Sequence, residues 1–399
     1  MIDVAIIGGG PAGVAAALTL KRRGVGRVVI LEREAALGGV PRHCGHPPFG
    51  FREFGRVLTG PAYARRLRAA AERAGVEILL QHSVVRLRPD GVLDVATPEG
   101  GKELHALRVL LATGARETPR SGRLLGGDRP LGVLNTGALQ AHVVLQGSVP
   151  FRRPVVVGTE LVSLSALATC RSHGIRPVAM LEPGPRPVAR WPLTLFPRLL
   201  RIPLHLRAEI AEICGTGRVE SVKLRDGREI SCDGVLLTGR FVPESSLARM
   251  GHLAVDAGSG GPVVDQYGRC SDGAYFAAGN VLRGIETAGW SFREGAAIAD
   301  YIADDLEGGL PYAEGGVEVV CGEGIKYAVP QSLARVTRLR GVMQLRVAEA
   351  VRGQLRVRAG DVVLYKRRVS VLPERRIVID LESLKIPQEV SQLVVEIVA

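Results

Sequence analysis

The first thirty-odd residues restrict this chain more than anything after them. Residues 2–34 read IDVAIIGGGPAGVAAALTLKRRGVGRVVILERE. The buried run Val4 to Ile7 predicts a strand. Gly8, Gly10 and Gly13 then form G-x-G-x-x-G where the strand meets a helix that Gly24 stops. A second strand, Val28 to Leu31, ends at Glu32, nineteen residues after Gly13. Each position has a physical task. Gly8 permits the tight turn, Gly10 lets a pyrophosphate approach the backbone, and Gly13 lets helix and strand pack closely. The helix N-terminus offers unpaired N–H groups to phosphates, and Glu32 can accept hydrogen bonds from a ribose. A lone G-x-G-x-x-G is a weak signal, but strand, helix and acidic residue here fall in register, which predicts a dinucleotide-binding βαβ unit.

Residues 154–182, PVVVGTELVSLSALATCRSHGIRPVAMLE, repeat the pattern. In register with the glycines stand Gly158, Thr159, Glu160, Leu161, Val162 and Ser163. Ser163 can replace a packing glycine. Glu160 cannot easily replace the second glycine, because its bulk and charge lie where a pyrophosphate would approach. A carboxylate at a helix N-terminus gains about 0.3–1 kcal/mol, so Glu160 can occupy the anion position itself. The expectation is a scaffold unit with a degenerate nicotinamide site. Glu182 ends the next strand and keeps a ribose-binding look.

At 399 residues the chain predicts two to three domains. After Pro311 the texture changes to alternating strands such as MQLRVAEAV and RRIVIDL, which predict a C-terminal all-β domain. The net charge of +12 comes mainly from scattered arginines without a run or aromatic-interleaved patch, which argues against nucleic-acid binding. Six cysteines lie far apart with no CxxC pair, and no signal peptide is evident. A reducing, cytoplasmic setting is expected. No run of eighteen apolar residues predicts a membrane span, although peripheral membrane contact stays open.

Two βαβ units, an ATG strand (Ala112, Thr113, Gly114) and a late A-A-G-N element ending in Gly279 and Asn280 stand in order. Together they resemble the flavoproteins with two dinucleotide-binding domains, the glutathione-reductase-like class. The resemblance implies an α/β fold with two Rossmann-like domains plus the small β domain. It divides the chain into a discontinuous FAD-binding domain (1–116 and 246–310), an NAD(P)-binding-like domain (117–245) and the β domain (311–399). FAD is the implied cofactor. Its implied contacts are Gly8, Gly10, Pro11, Ala12, Gly13, Glu32, Arg33, Gly38, Gly39, Val85, Ala112, Thr113, Gly114, Gly279, Asn280, Thr287 and Ala288. Asn280 departs from the class, which usually carries Asp there. GGVPRHCGHPPFG, TGARETP, LGVLNTGALQ and GIKYAVPQSL add a narrower likeness. They are similar to bacterial FAD oxidoreductases associated with glycerol-3-phosphate dehydrogenase, and to FAD subunits of opine, hydroxyproline and cyanide-forming glycine dehydrogenases.

GGVPRHCGHPPFG (residues 38–50) carries the candidate chemistry. Dithiol exchange needs two cysteines, and Cys44 stands alone. A single redox cysteine would need NAD(P)H, which Glu160 opposes. A metal clip of His43, Cys44 and His46 lacks further ligands, so no metal is expected. What remains is a loop beside the cofactor, with His43 or His46 taking a proton from a substrate C–OH or C–NH2. Cys44 fits packing better than attack. Arg42 and Arg116 are candidates for an anionic substrate, and Glu286, Thr287 and Trp290 for the flavin's neighbourhood.

The expected activity is oxidation of a small alcohol or amine, such as glycerol-3-phosphate or an amino or imino acid. Electrons would pass from FAD to a partner protein or quinone rather than to NAD(P). Two rivals are an NAD(P)H-dependent flavin reductase using Cys44, and an electron-relay or structural subunit of a larger dehydrogenase.

Overall fold

A computed structural model describes residues 1–284, 286–311 and 315–398. The chain divides into two compact units, one of Met1–Gly39, Arg65–Ala115 and Pro243–Ala399, the other of Val40–Ala64 and Arg116–Val242.

In the first unit, β1 (Ile2–Ile7) leads through Gly8–Gly10 into helix α1 (Pro11–Arg22) and back to β2 (Val28–Glu32). Proline at the first helical position fits a place where no N–H partner exists. Helix α2 (Gly60–Arg73) leads to β3 (Glu77–Leu80), and β4 (Ser83–Arg88), β5 (Val92–Thr97) and β6 (Gly100–Leu111) follow. The sheet order is β3-β2-β1-β6-β5-β4. Strand β6 serves two neighbours: its first half pairs antiparallel with β5, its second half parallel with β1. Its last three residues, Val109–Leu111, are apolar and buried, as a strand covered on both faces must be.

The second unit builds a parallel sheet from β7 (Val133–Asn135), β8 (Pro154–Val157), β9 (Ala179–Glu182), β10 (Leu204–Leu206) and β11 (Gly234–Leu237), in the order β10-β9-β8-β11-β7. Helix α3 (Leu161–Ser172) joins β8 to β9. An antiparallel layer formed by 210–214, 221–224 and 229–231 packs its apolar faces into one core with Val155, Leu181 and Val235.

Back in the first unit, β12 (Tyr275–Ala277) adds to the free side of β6, and helix α4 (Ala288–Leu306) lies against α1. The contact is close. A methyl group on Gly295 of α4 would meet the carbonyl oxygen of Ala12 at 2.1 Å, so only glycine permits it. The C-terminal strands are β13 (Val317–Cys321), β14 (Ile325–Val329), β15 (Val342–Val347), β16 (Val351–Ala359), β17 (Val362–Val371), β18 (Ile377–Asp380) and β19 (Gln392–Val398). They form a five-stranded sheet, completed at its edge by residues 332–333, and a three-stranded sheet, β14-β15-β18. Leu345, Ile379, Leu355 and Val395 of the two sheets share one buried core. The all-β region after Pro311 is as its alternation predicts.

Replacing Gly295 with alanine forces α1 and α4 apart. The expected cost is about 1–3 kcal/mol, as for other overpacked cores. A thermal melt of the purified protein, with its visible flavin absorption recorded alongside, measures both the loss of stability and any loss of bound FAD.

Candidate functional site

Gly8 holds φ +108°, in the region glycine favours, and a methyl group there would lie 2.5 Å from the Ala112 carbonyl oxygen. A methyl group on Gly13 would lie 2.0 Å from the Gly8 oxygen. The helix therefore starts hard against the strand end. Gly10 caps α1 and no side chain caps it in turn, so the first N–H groups face outward for an external anion. Beyond Gly10 only Gly39 comes near, its own added methyl lying 3.0 Å from Gly10 Cα. A side chain at either position would fill this cradle. Glu32 accepts the Gly9 N–H and the Glu34 N–H, both at 2.9 Å, which fixes its carboxylate at the end of β2. Pro11, Ala12, Ala112 and Gly38 line the same strand ends, with the Gly38 N–H donating to the Gly9 oxygen at 2.8 Å. These residues fit the diphosphate and ribose of a dinucleotide.

Thr113 donates its hydroxyl to the Glu244 oxygen at 2.7 Å, and the Gly114 oxygen accepts the Glu244 N–H at 2.8 Å. Gly279 donates its N–H to Glu294 at 2.8 Å, and Glu294 also pairs with the buried Arg283. Asn280 explains its own departure from the class. Its Oδ1 accepts the Glu286 N–H at 2.7 Å and its Nδ2 donates to the Glu286 oxygen at 3.2 Å. Aspartate could make the first bond but not the second. Thr287 caps α4 with Ala288 as the first helical residue, and no side-chain cap closes that N-terminus. Arg33 and Val85 are exposed, Val85 at 51% at a bulge in β4, and neither is drawn into these hydrogen bonds.

The sequence left the next part unread. Arg346 of β15 reaches Glu286 at 3.0 Å, and Arg376 pairs with the same carboxylate. The Arg376 guanidinium stacks 3.7 Å from the Trp290 ring centre. Glu286 is thus held by two cations from the C-terminal β region. No motif marks them, because the pairing spans sixty and ninety residues.

In the second unit the loop 40–64 forms a directed chain of hydrogen bonds. The Cys44 thiol donates to Gln140 Oε1 at 3.2 Å, Gln140 Nε2 donates to Ser165 Oγ at 2.9 Å, and Ser165 contacts His46 Nε2. His46 Nδ1 meets the Pro47 carbonyl oxygen at 2.8 Å. A carbonyl only accepts, so Nδ1 carries the proton and Nε2 accepts from Ser165. Every donor in the chain has an acceptor, and both nitrogens of His46 are engaged. Cys44 is 7% exposed, and burial, aided by the charge of Glu117, pushes its thiol up to about 12. A thiol that stays protonated at neutral pH packs; it does not attack.

His43 stands elsewhere. A methyl group added to Gly137 would lie 3.7 Å from His43 Cε1 and 3.8 Å from Glu117 Oε2, so the two side chains converge on one point. Glu117 accepts the N–H groups of Gly137 at 2.8 Å and Gly239 at 3.1 Å, and burial raises its carboxyl above the usual range. Arg42 is half-buried and Arg116 is exposed.

The two βαβ units can be laid over each other residue by residue. Gly158 has φ +113°, matching Gly8. Glu160 caps α3 with φ −74° and ψ 177°, matching Gly10 with φ −77° and ψ −173°. The backbone is conserved between the units, and the side chain differs. The Glu160 carboxyl accepts from the Thr238 hydroxyl at 3.1 Å, and no side chain caps the first N–H groups of α3. It is packed over Gly158 and Gly239; a methyl group on Gly239 would lie 1.6 Å from its Oε1. Glu182, the counterpart of Glu32, accepts the Gly184 N–H at 2.9 Å and the Thr159 hydroxyl.

A family model described as pyridine nucleotide-disulphide oxidoreductase matches residues 2–295. The chain belongs to that family. It is an FAD-dependent oxidoreductase. The benzene 1,2-dioxygenase system ferredoxin–NAD(+) reductase subunit of Pseudomonas putida is 26% identical over 322 residues, 75% of this chain and 74% of that protein. Sarcosine oxidase subunit alpha of Rhizobium meliloti is 28% identical over 363 residues, 82% of this chain but 33% of its own length. The crystal structure of T. acidophilum thioredoxin reductase matches with a TM-score of 0.64 and 23% identity, over 76% of this chain and 98% of that one, a likeness of fold.

Burial is the main cause that raises the Glu160 carboxyl above its ordinary 4.5. Below that pH both folded and unfolded chains hold the proton. Above it the unfolded chain releases the proton first, so the wild type loses stability as pH rises towards the folded-state value. Glu160→Gln keeps an acceptor for Thr238 without a proton to lose. Its stability advantage should therefore grow from about pH 4.5 upward and then level off. Denaturant melts of both proteins across pH measure this.

Proposed function

We propose that this flavoenzyme is a dehydrogenase that oxidises a small alcohol or amine and delivers the electrons to a partner protein or a quinone rather than to NAD(P). The observation that carries the reading is the Glu160 carboxyl, held by the Thr238 hydroxyl over Gly158 and Gly239 at the head of the second βαβ unit. Charged or neutral, it fills the volume a pyrophosphate needs, and Glu182 is engaged by Thr159 in the same way. The likeness to sarcosine oxidase subunit alpha supports an amine as substrate; glycerol-3-phosphate and an amino or imino acid are the other candidates. In this reading residues 1–116 and 246–310 form the FAD-binding part and 117–245 the degenerate nicotinamide part.

FAD supplies a two-electron acceptor when bound. Gly8, Gly10, Gly13 and Gly39 shape its diphosphate cradle, Glu32 takes its ribose, and Asn280 with Glu294 fixes the turn at Gly279. Bound there, FAD would accept the hydride of the substrate's C–H bond, and the O–H or N–H proton would need a base from this chain. His43 is that base in our reading, with its ring and the Glu117 carboxyl both beside Gly137. His46, with both nitrogens engaged, holds the loop.

A second reading is favoured by the likeness to a ferredoxin–NAD(+) reductase: an NAD(P)H-dependent reductase. The buried, protonated Cys44 argues against its thiol version. Anaerobic addition of NADH and NADPH to the FAD-loaded protein separates the two. No bleaching of the flavin band is expected, followed by bleaching with sarcosine, glycerol-3-phosphate or another small alcohol or amine. Rapid bleaching by either nicotinamide would defeat the proposal.

The histidines divide in a second experiment. His43→Ala should slow substrate reduction of the flavin by about 10²–10⁴-fold, the range for a lost general base. His46→Ala should instead lower stability by about 1–3 kcal/mol, because it strands Ser165 and the chain behind it, with a far smaller effect on rate. Equal rate losses, or none in His43→Ala, would remove His43 from the role.

A further inference from the structure

In the second unit the crossover from β9 to β10 (residues 183–203) is much longer than the connection requires, and it has two faces. Its base is pinned. The Arg207 N–H donates to the Gly184 oxygen at 3.0 Å, the Val188 N–H to Thr159 Oγ1 at 2.9 Å, and the Ala189 N–H to the Thr159 oxygen at 3.0 Å. Its inner face is apolar and packed, with Ile202 in a core that Phe196, Leu200 and Leu204 pack against. Its outer face is apolar too, and uncovered. Trp191 is 79% exposed and Leu199 77%, with Leu193 and Leu195 also exposed within the same nine residues.

These side chains are brought together by local structure. A single 3-10 turn at Leu193–Leu195 runs straight into the helical turn Phe196–Leu199, and the Leu195 N–H closes on the Pro192 oxygen at 3.0 Å. Leu195 and Leu199 are four apart and share a face. Beside them Leu195, Pro197, Arg198, Arg201 and Leu204 line an open groove.

The charge around this face has one sign. Between Glu182 and Glu209 the chain carries Arg186, Arg190, Arg198, Arg201 and Arg207 and no acidic residue. All five are exposed, and Arg190, Arg198, Arg201 and Arg207 have no ion-pair partner among the described residues. An exposed tryptophan and three leucines ringed by unpaired arginines match an interface that is apolar within and anionic at its rim. Tryptophan favours the headgroup level, leucine the acyl boundary, and arginine the phosphates. Among the described residues no helix is long and apolar enough to cross a membrane, so the contact would be superficial.

We propose that residues 190–201 form a membrane-contact surface that seats this enzyme on an anionic lipid bilayer. The proposal stands apart from the identity of the electron acceptor, because it concerns a surface and not the flavin.

The test is flotation of the full-length FAD-loaded protein with vesicles of phosphatidylglycerol and phosphatidylcholine in equal amounts, and with phosphatidylcholine alone. Binding to the anionic vesicles at least tenfold stronger than to the neutral ones, weakened by added salt, is expected. Trp191→Ser combined with Leu199→Ser should reduce it at least tenfold. Arg190→Gln combined with Arg198→Gln should reduce it by about fivefold per arginine. These side chains are exposed, and an unchanged flavin spectrum verifies that each variant is folded. Three results would overturn the proposal: no flotation with anionic vesicles, flotation that neither pair of substitutions weakens, which would assign it to the overall positive charge, or a concentration-dependent dimer abolished by the Trp191 and Leu199 changes, which would assign the face to a second copy of this chain.

Discussion

The first unit depends on one constraint: backbone must touch backbone where β1, α1 and α4 meet. Gly13 lets α1 rest on the Gly8 carbonyl, and Gly295 lets α4 rest on the Ala12 carbonyl. A single methyl group at either place would meet an oxygen at about 2 Å, well inside any tolerable contact. The consequence reaches beyond packing. With α1 drawn this close, its open N-terminus stands directly beyond the strand ends, beside Gly39 and Glu32, where an anion can be met by N–H groups instead of side-chain charges. Those donors need no counter-ion and lose no side-chain entropy when they are used.

The second unit keeps that geometry and gives it a different occupant. Glu160 and Gly10 have the same backbone conformation at the same point of the same motif. Where Gly10 leaves the approach to the helix open, Glu160 sets its carboxyl over Gly158 and Gly239 and takes the Thr238 hydroxyl. Burial works against the ionised form while the N–H groups and the Thr238 hydroxyl work for it; burial wins, so the carboxyl lies above its ordinary range.

Whether a feature could be read in the sequence follows from how locally it is determined. Gly8, Gly10 and Gly13, and Glu160 in the second unit, each lie inside a contiguous motif whose conformational demands belong to neighbouring residues, so both units and the Glu160 departure are legible from spacing. The C-terminal β region is legible for the same reason, since alternation has a period of two whatever it packs against. The loop at residues 38–50 shows the limit. Its composition announces a special backbone, but Cys44 and His46 are joined through Gln140 and Ser165, about a hundred residues on, and no pattern in the loop distinguishes an engaged histidine from a free one. Val85, which the resemblance nominates, lies half exposed at a bulge of β4.

The pairing of Glu286 with Arg346 and Arg376 illustrates why such long-range partners exist. A carboxylate buried alone would be driven to its neutral form, and one guanidinium leaves part of its acceptor capacity unmet. Two guanidiniums, one of them also stacked on Trp290, satisfy both oxygens and leave little freedom of direction. Meanwhile Asn280 fixes the backbone of the same residue from the opposite side of the turn. The stretch leading into α4 is therefore held by its side chain from the C-terminal β region and by its main chain from the A-A-G-N turn. Neither hold suffices alone, because a side-chain clamp leaves the backbone free to rotate and a backbone clamp leaves the charge unpaired. The C-terminal strands thus act on the chain's flavoprotein core through charge as well as through packing, and the exposed N-terminus of α4 owes its position to both.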